Sequence, residues 1–330
     1  MTVGGWAVGN SKKRKFVSIV VPFYNEDEGV GLFYSAISEI INQCKEIDFE
    51  VICVDDGSKD NTLHQLVSIA TNDERFHIIE LSRNFGKEAA LTAGIDAARG
   101  DAVIPFDADL QDPPELIPEM IDEWVKGAEV VLARRMDRRS DTFLKQKTAE
   151  LFYRFHNRLS TIKIPENVGD FRLMDRIAVD ALKEFSEQHR FMKGLFAWIG
   201  FRTVTLDYMR NPRSAGNTKF SAWKLWNFAL EGITSFSATP LKFWSYVGGV
   251  GAVGTLCYAS YIIYRTITQG VDVPGYASLL VAILFFGSLQ LISVGMLGEY
   301  IGRIYVESKR RPIYLIRKHY GSVRDKDAGV

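Results

Sequence analysis

The stretch IPFDADLQDPPEL, residues 104–116, puts two carboxylates one residue apart where an apolar run ends and a Pro-Pro pair opens a helical pattern. Asp107 and Asp109, at i and i+2 of an extended segment, point to the same side. Two anions held that close repel each other unless a cation joins them. Hard oxygen donors suit magnesium or manganese better than zinc, and such ions usually keep positions open for phosphate oxygens. A solvated acidic turn capping the next helix has the same local sequence, so the rest of the chain decides between the two.

Working outward, FVSIVVPF (16–23), FEVICVDD (49–56), FHIIELS (76–82), DAVIPFD (101–107) and EVVLARR (129–135) read as strands. They are β-branched and almost continuously apolar, as in a sheet covered on both faces. Residues 28–44, 61–70, 87–98 and 114–125 read as helices. Asp60 or Asn61 is placed to cap one, Pro114 to open another and Gly127 to close it. Strands alternating with helices predict an α/β doubly wound, mainly parallel sheet. Ligands of such sheets bind at the carboxyl ends of the strands. Asp55, Asp56, Asp107 and Asp109 all fall there, which favours a site over an acidic turn. A dinucleotide-binding dehydrogenase is excluded, because VVPFYNEDEG after the first strand holds no G-x-G-x-x-G.

The chain has 330 residues, enough for two domains, or one domain plus membrane elements. Lys and Arg total 40, as do Asp and Glu, so net charge gives no sign of a nucleic-acid partner. Cys44, Cys53 and Cys257 show no metal spacing and fit a reducing compartment. No signal peptide is expected, and residues 1–15 read as a disordered basic tail.

The second half differs. Leu241 to Tyr264 carries one lysine as its only charge, and Tyr276 to Gly298 carries none. At 1.5 Å per residue either stretch covers roughly 30 Å of hydrocarbon. Aromatics at the ends (Phe243, Trp244, Tyr246, Tyr261, Tyr264, Tyr276) suit the interfaces. The connecting TQGVDVPG has no Lys or Arg, whereas Lys242, Arg303 and Lys309 to Arg311 flank the outer ends, so both termini are expected in the cytoplasm. Arg265 is the one dissenting charge and is expected to snorkel. Just upstream, KFSAWKLWNFALEGITSF (219–236) sets Trp223, Trp226, Leu230 and Ile233 at helical spacing, as in a helix lying in the membrane interface. The small-residue run GGVGAVG (248–254) permits close helix packing, and a homo-oligomer is expected.

Taken together, SIVVPFYNE (18–26), VDDGSKDNT (54–62), LSRNFGKEAALTAG (81–94), DADLQD (107–112) and VGDFRLM (168–174) resemble the family 2 inverting glycosyltransferases of GT-A fold. Within that family the chain is most similar to the polyprenyl-phosphate glycosyltransferases, the group of dolichol-phosphate mannose synthase and the bacterial bactoprenol glucosyltransferases. The resemblance runs from about residue 16 to 318. It implies a GT-A domain over 16–218, an interfacial helix over 219–240, two transmembrane helices over 241–302 and a basic cytoplasmic tail over 303–330, in a bacterial inner membrane.

The resemblance also assigns roles. Asp107 and Asp109, with Gln111, would hold Mg2+ or Mn2+ against the diphosphate of a UDP-sugar. Pro22, Tyr24 and Glu26 would shape the base pocket, with Tyr24 stacking on uracil and Asp56 or Asp55 accepting its imide N–H. Asn84 and Lys87 sit where the family contacts the donor, and Asp170 would serve as base or orienter near the acceptor, with Asp109 beside it. Arg135, Arg213 and Lys219 are candidates for the acceptor's phosphate or the diphosphate. At the position in LKQKTAE where the family places a basic residue, this chain has Gln146.

The implied reaction is inverting transfer of a hexose, glucose first, from a UDP-sugar to undecaprenyl or another polyprenyl phosphate, yielding a lipid-linked donor for O-antigen or cell-envelope glycans. A separate flippase and a periplasmic transferase would act downstream. Mannose, N-acetylhexosamine and modified arabinose are the alternative sugars, and a non-catalytic nucleotide-sugar-binding scaffold is the alternative class. A processive polysaccharide synthase fits less well, because QHRFMKG (188–194) lacks the tryptophan of Q-x-x-R-W.

Overall fold

The computed structural model describes residues 14–136, 168–209 apart from four positions, a set of helical positions between 250 and 268, and 275–321. Eight strands form one sheet: β1 (Lys15–Phe23), β2 (Ile47–Asp55), β3 (Phe76–Leu81), β4 (Ala102–Pro105), β5 (Val130–Arg135), β6 (Val168–Asp175), β7 (Thr203–Tyr208) and β8 (Ile316–Tyr320). Their order across the sheet is β7-β5-β6-β4-β1-β2-β3-β8. β1 to β5 and β7 run one way, and β6 and β8 run against them. The five strands read from the sequence all form, within one or two residues of their expected ends.

The helices between them are α1 (Val30–Gln43), α2 (Thr62–Asn72), α3 (Lys87–Ala97) and α4 (Leu116–Val125), followed by α5 (Arg176–Lys183), α6 (Met192–Trp198) and α7 (Tyr276–Ser308). Val17, Ile19 and Val21 of β1 face a core completed by Phe33 and Ile37 of α1 and Ile117 and Met120 of α4. Val20 and Val54 face the other core, with Ala90 and Leu91 of α3 and Val179 of α5. Burial on both faces is why these strands read as unbroken apolar runs rather than alternating ones. Gly127 turns the chain after α4 at φ 103°, as expected. Asn61 precedes α2 without a side-chain cap; Asp60 supplies it instead, accepting from Thr62 N at 3.0 Å.

At the amino end of the sheet, Glu50 is buried and fully engaged. It accepts from Ser18 Oγ at 2.6 Å, from Arg99 N at 2.7 Å and from the Arg99 guanidinium at 2.8 and 3.0 Å. Replacing Glu50 by alanine leaves the Ser18 hydroxyl and the Arg99 amide without their acceptor. Thermal or urea unfolding should show a loss of about 3 kcal/mol, the sum expected for two stranded buried donors.

Two features depart from the sequence reading. Residues 316–320, placed there in a basic tail over 303–330, form β8, which pairs antiparallel with β3 at the sheet edge. Tyr320 donates to Glu80 at 2.8 Å, Arg317 pairs with Glu80 at 3.0 Å, and Tyr314 OH donates to Asp96 at 2.8 Å. The exposed edge of β3 would otherwise present unpaired backbone groups, and β8 covers it. The second departure is length: α7 runs 33 residues, past the expected end at 302.

Among the described residues no helix is long and apolar enough to cross a membrane. Several side chains of α7 fall outside that set; its backbone runs unbroken, and Tyr276 to Gly298 holds no charged residue. Leu279, Ile283, Phe285, Leu291 and Ile304 are each more than half exposed along it, an apolar surface of the kind that marks a membrane or partner contact. The described positions between 250 and 268 are helical, and Gly251 there approaches the Phe286 ring, which a Cβ would meet at 3.7 Å. The interfacial helix expected over 219–240 lies outside the described residues.

Candidate active site

The loops that follow β1, β2, β3 and β4 meet at the carboxyl end of the sheet and are laced to one another. After β1, Asn25 N donates to Ser58 Oγ at 3.0 Å, Asn25 Oδ1 accepts from Lys59 N at 2.8 Å, and Glu26 N donates to Thr62 Oγ1 at 2.9 Å. Asn25 takes a left-handed conformation, φ 52°, to make the turn. Tyr24 stands exposed on this loop, Pro22 is half-buried at the end of β1, and Glu26 is exposed.

Asp55 and Asp56 end up in different jobs. Asp56 is buried, and its two oxygens accept from Phe85 N at 2.7 Å and Gly86 N at 2.9 Å, so it holds the segment leading into α3. Asp55 is also buried; Oδ2 accepts from Ser58 N at 3.2 Å, and Oδ1 has no hydrogen-bond partner among the described residues. Burial pushes both carboxyls above the ordinary aspartate range, and the hydrogen bonds from Ser58 and from the Phe85 and Gly86 amides only partly offset it. Of the two acceptors proposed for a base N–H, Asp56 is already engaged on both oxygens.

Gly57 sits between these residues at φ 68°, pressed against the backbone of Arg83 and Asn84; a Cβ there would lie 2.7 Å from both Arg83 C and Asn84 N. Gly57→Ala should cost about 1–3 kcal/mol in conformational strain alone. It should also push the exposed Asn84 out of place, and the loss is read as a lower melting temperature.

Asp107 and Asp170 come together across the sheet. The β4–β6 register, Ala102 with Asp175 and Val103 with Met174, carried past the last pair, brings residue 107 level with 170. Beneath them Phe106 and Phe171 pack edge to face with centroids 5.3 Å apart, and Phe171 packs in turn on Tyr208. Neighbouring residues of a strand point to opposite faces, so this aromatic layer fixes both carboxylates from below. Lys87, first residue of α3, closes the pair: Nζ lies 2.7 Å from Asp107 Oδ1 and 2.9 Å from Asp170 Oδ2. Burial alone would lower the ammonium's pKa, but the two carboxylates outweigh it and hold it above the ordinary lysine range.

Asp109, two residues past Asp107, is half-buried and is oriented by Gln111, whose Nε2 donates to Oδ2 at 2.7 Å and whose N donates to Oδ1 at 3.2 Å. Gln111 is itself buried, so its first role is to hold Asp109. Leu110 between them is left-handed, φ 51°, local strain of the sort kept at functional turns. Asp112 anchors the loop's far end by accepting from Tyr208 OH.

Arg172 went unread in the sequence. It is buried on β6, its Nη2 donating to Gly169 O at 2.6 Å and Nε to Asp170 O at 3.3 Å, with the guanidinium 3.9 Å over the Phe196 ring. Burial brings its pKa down to about 10, against the pull of Asp170. It fixes the backbone under Asp170; a charged residue inside an apolar strand pattern was the available signal. Arg135 ends β5, half-buried. Arg213 and Lys219 lie outside the described residues.

Among the described residues no three Asp, Glu, His or Cys side chains gather as a complete metal cage. Asp107 and Asp109 still fit a hard divalent ion that takes its remaining ligands from phosphate and water, and Asp107 already attracts a cation, the Lys87 ammonium.

A mainly parallel α/β sheet with acidic residues at its carboxyl end has its candidate ligand site there. Residues 18–183 match the description Glycosyl transferase family 2, and the chain belongs to that family; the sheet is the GT-A arrangement the sequence predicts. The chain is 54% identical over 305 residues to an uncharacterized glycosyltransferase of Synechocystis sp., covering 92% of this chain and 96% of that protein. It is 50% identical over 302 residues to the prophage bactoprenol glucosyl transferase homolog of Escherichia coli, covering 92% and 98%. Against the bactoprenol glucosyl transferase of a Shigella phage it is 51% identical over 301 residues, covering 91% and 98%.

Proposed function

We propose that the protein transfers glucose, with inversion, from UDP-glucose to a polyprenyl phosphate. The observation that carries this is the pair Asp107 and Asp170, brought level by β4 and β6 and bridged by the Lys87 ammonium. The names of the bactoprenol relatives support the sugar and the carrier.

Tyr24 offers an exposed ring for the uracil, and Asp55 the carboxylate oxygen not already engaged. Asp107 and Asp109 would hold Mg2+ or Mn2+, with Gln111 setting Asp109. The ion, when bound, neutralises charge developing on the UDP leaving group. Asn84 and Lys87 border the donor. An acceptor oxygen attacks C1 from the face opposite UDP, forming the C1–O bond as the C1–O bond to UDP breaks. Because that oxygen belongs to a phosphate already ionised at pH 7, Asp170 orients groups rather than removing a proton. Arg135, and Arg213 with Lys219, are the cations proposed for the phosphates.

We propose further that residues 241–264 and α7 cross a bacterial inner membrane as two spans, with 219–240 along its surface. At 1.5 Å per residue, α7 reaches about 50 Å, enough for the hydrocarbon and its margins. That β7 and β8 belong to one sheet supports an even number of crossings between them, and so a first span to match α7. The sugar is then attached on the catalytic side, and a separate flippase and periplasmic transferase use the product. The chain is read as a homo-oligomer packed through the small residues at 248–254.

Donor choice and stereochemistry test the reading. With undecaprenyl phosphate, UDP-glucose is expected to outcompete UDP-N-acetylglucosamine and GDP-mannose, and the anomeric proton of the lipid product should carry the large coupling of a β-glucoside. An α-linked product, or a preference for another sugar, contradicts it.

A further inference from the structure

Lys87 is an odd choice for its position. It is the first residue of α3, where the helix dipole is positive and favours anions. What holds it there is a pair of carboxylates: Nζ lies 2.7 and 3.0 Å from the two oxygens of Asp107 and 2.9 Å from Asp170 Oδ2. Asp109, the other member of the D-x-D pair, is held by the Gln111 amide rather than by a cation. The ammonium therefore covers both oxygens of one of the two residues assigned to the divalent ion.

We propose that Lys87 is a built-in substitute for that ion: metal binding and release of Lys87 from Asp107 are one exchange, completed when the donor diphosphate arrives. This deepens the metal reading given above and rests on it. Charge decides the outcome. Lys87 offsets one of the negative charges that a divalent ion would meet at Asp107. Without donor, an incoming ion must displace the ammonium and then sit beside it, so repulsion keeps the ion weakly bound. With donor, the freed ammonium, still tethered to Asp170, meets diphosphate oxygens. The ion is thereby retained chiefly together with the nucleotide, and Asp107 and Asp170 keep a cation between turnovers. Lys87 is a positioning residue for this step, distinct from the ligands themselves.

The test is Mn2+ binding, followed by the EPR signal of free Mn2+, on full-length protein in detergent with and without UDP. Lys87→Met is expected to bind Mn2+ roughly tenfold more tightly than the parent in the absence of UDP, the order expected for removing one opposing charge at contact distance. Its gain in Mn2+ affinity on adding UDP should be smaller than the parent's. Lys87→Gln should behave as Lys87→Met, and Lys87→Arg should stay as weak as the parent; a merely structural lysine would give neither pattern. Asp109→Ala should lose Mn2+ binding. If both neutral variants bind Mn2+ no more tightly than the parent while Asp109→Ala abolishes binding, the exchange is overturned and the metal reading stands. If Asp109→Ala binds as the parent does, the metal reading falls, and the exchange falls with it.

Discussion

Asp109→Ala is expected to lower sugar transfer by on the order of a thousandfold, the worth of several kcal/mol of charge stabilisation at the leaving group. The side chain is half-buried and, among the described residues, bonded locally to Gln111. Its loss therefore leaves both cores and the Phe106–Phe171 layer in place. The melting temperature should stay within a few degrees of the parent, so the defect belongs to chemistry and not to folding. Excess Mn2+ should restore little, because Asp107 alone must then hold the ion in competition with Lys87. A variant that keeps a tenth or more of the parent rate would show that Asp109 is not a ligand.

Asp56→Asn should be the second most damaging substitution, and through a different link. The carboxylate accepts from two backbone amides, Phe85 N and Gly86 N, where the chain turns into α3. An asparagine offers one acceptor and one NH2, so one buried amide faces another donor. The expected loss is about 1–3 kcal/mol, with a further small loss from removing an anion beside the helix N-terminus. The segment 84–87 carries Asn84 and Lys87, so misplacement by about 1 Å should also cut transfer roughly a hundredfold. Chemical denaturation and steady-state rates on the same preparation measure both. Full stability with full activity would refute this role for Asp56.

How much of this the sequence held can be traced residue by residue. β1 to β5 were legible because a strand buried on both faces is apolar at nearly every position, a local pattern. The D-x-D pair was legible because the strand-to-helix switch around Pro113 and Pro114 placed it at the ligand end of the sheet. β6 was not: VGDFRLMD alternates imperfectly, and its antiparallel insertion between β4 and β5 is a non-local choice. β8 was hidden for the same reason, since IRKHY reads as a basic tail until the uncovered edge of β3 is seen to need a partner. Arg172 interrupts an apolar run, and Lys87 is a cation at a helix start. Both broke a local rule: Lys87 answers to Asp107 and to Asp170, 20 and 83 positions away, and Arg172 to the carbonyls of Gly169 and Asp170 and the ring of Phe196. Asp55 and Asp56 looked equivalent in VDDGS, and only the hydrogen bonds to Phe85 and Gly86 separate them.

The most direct test of the central claim uses the purified full chain in detergent with undecaprenyl phosphate, radiolabelled UDP-glucose and Mn2+ or Mg2+. Label entering the chloroform phase is counted with and without EDTA, beside Asp109→Ala. The account predicts lipid-extractable glucose that disappears with EDTA and in the variant. UDP-glucose consumed without lipid label, or lipid label formed equally well in EDTA, would contradict it.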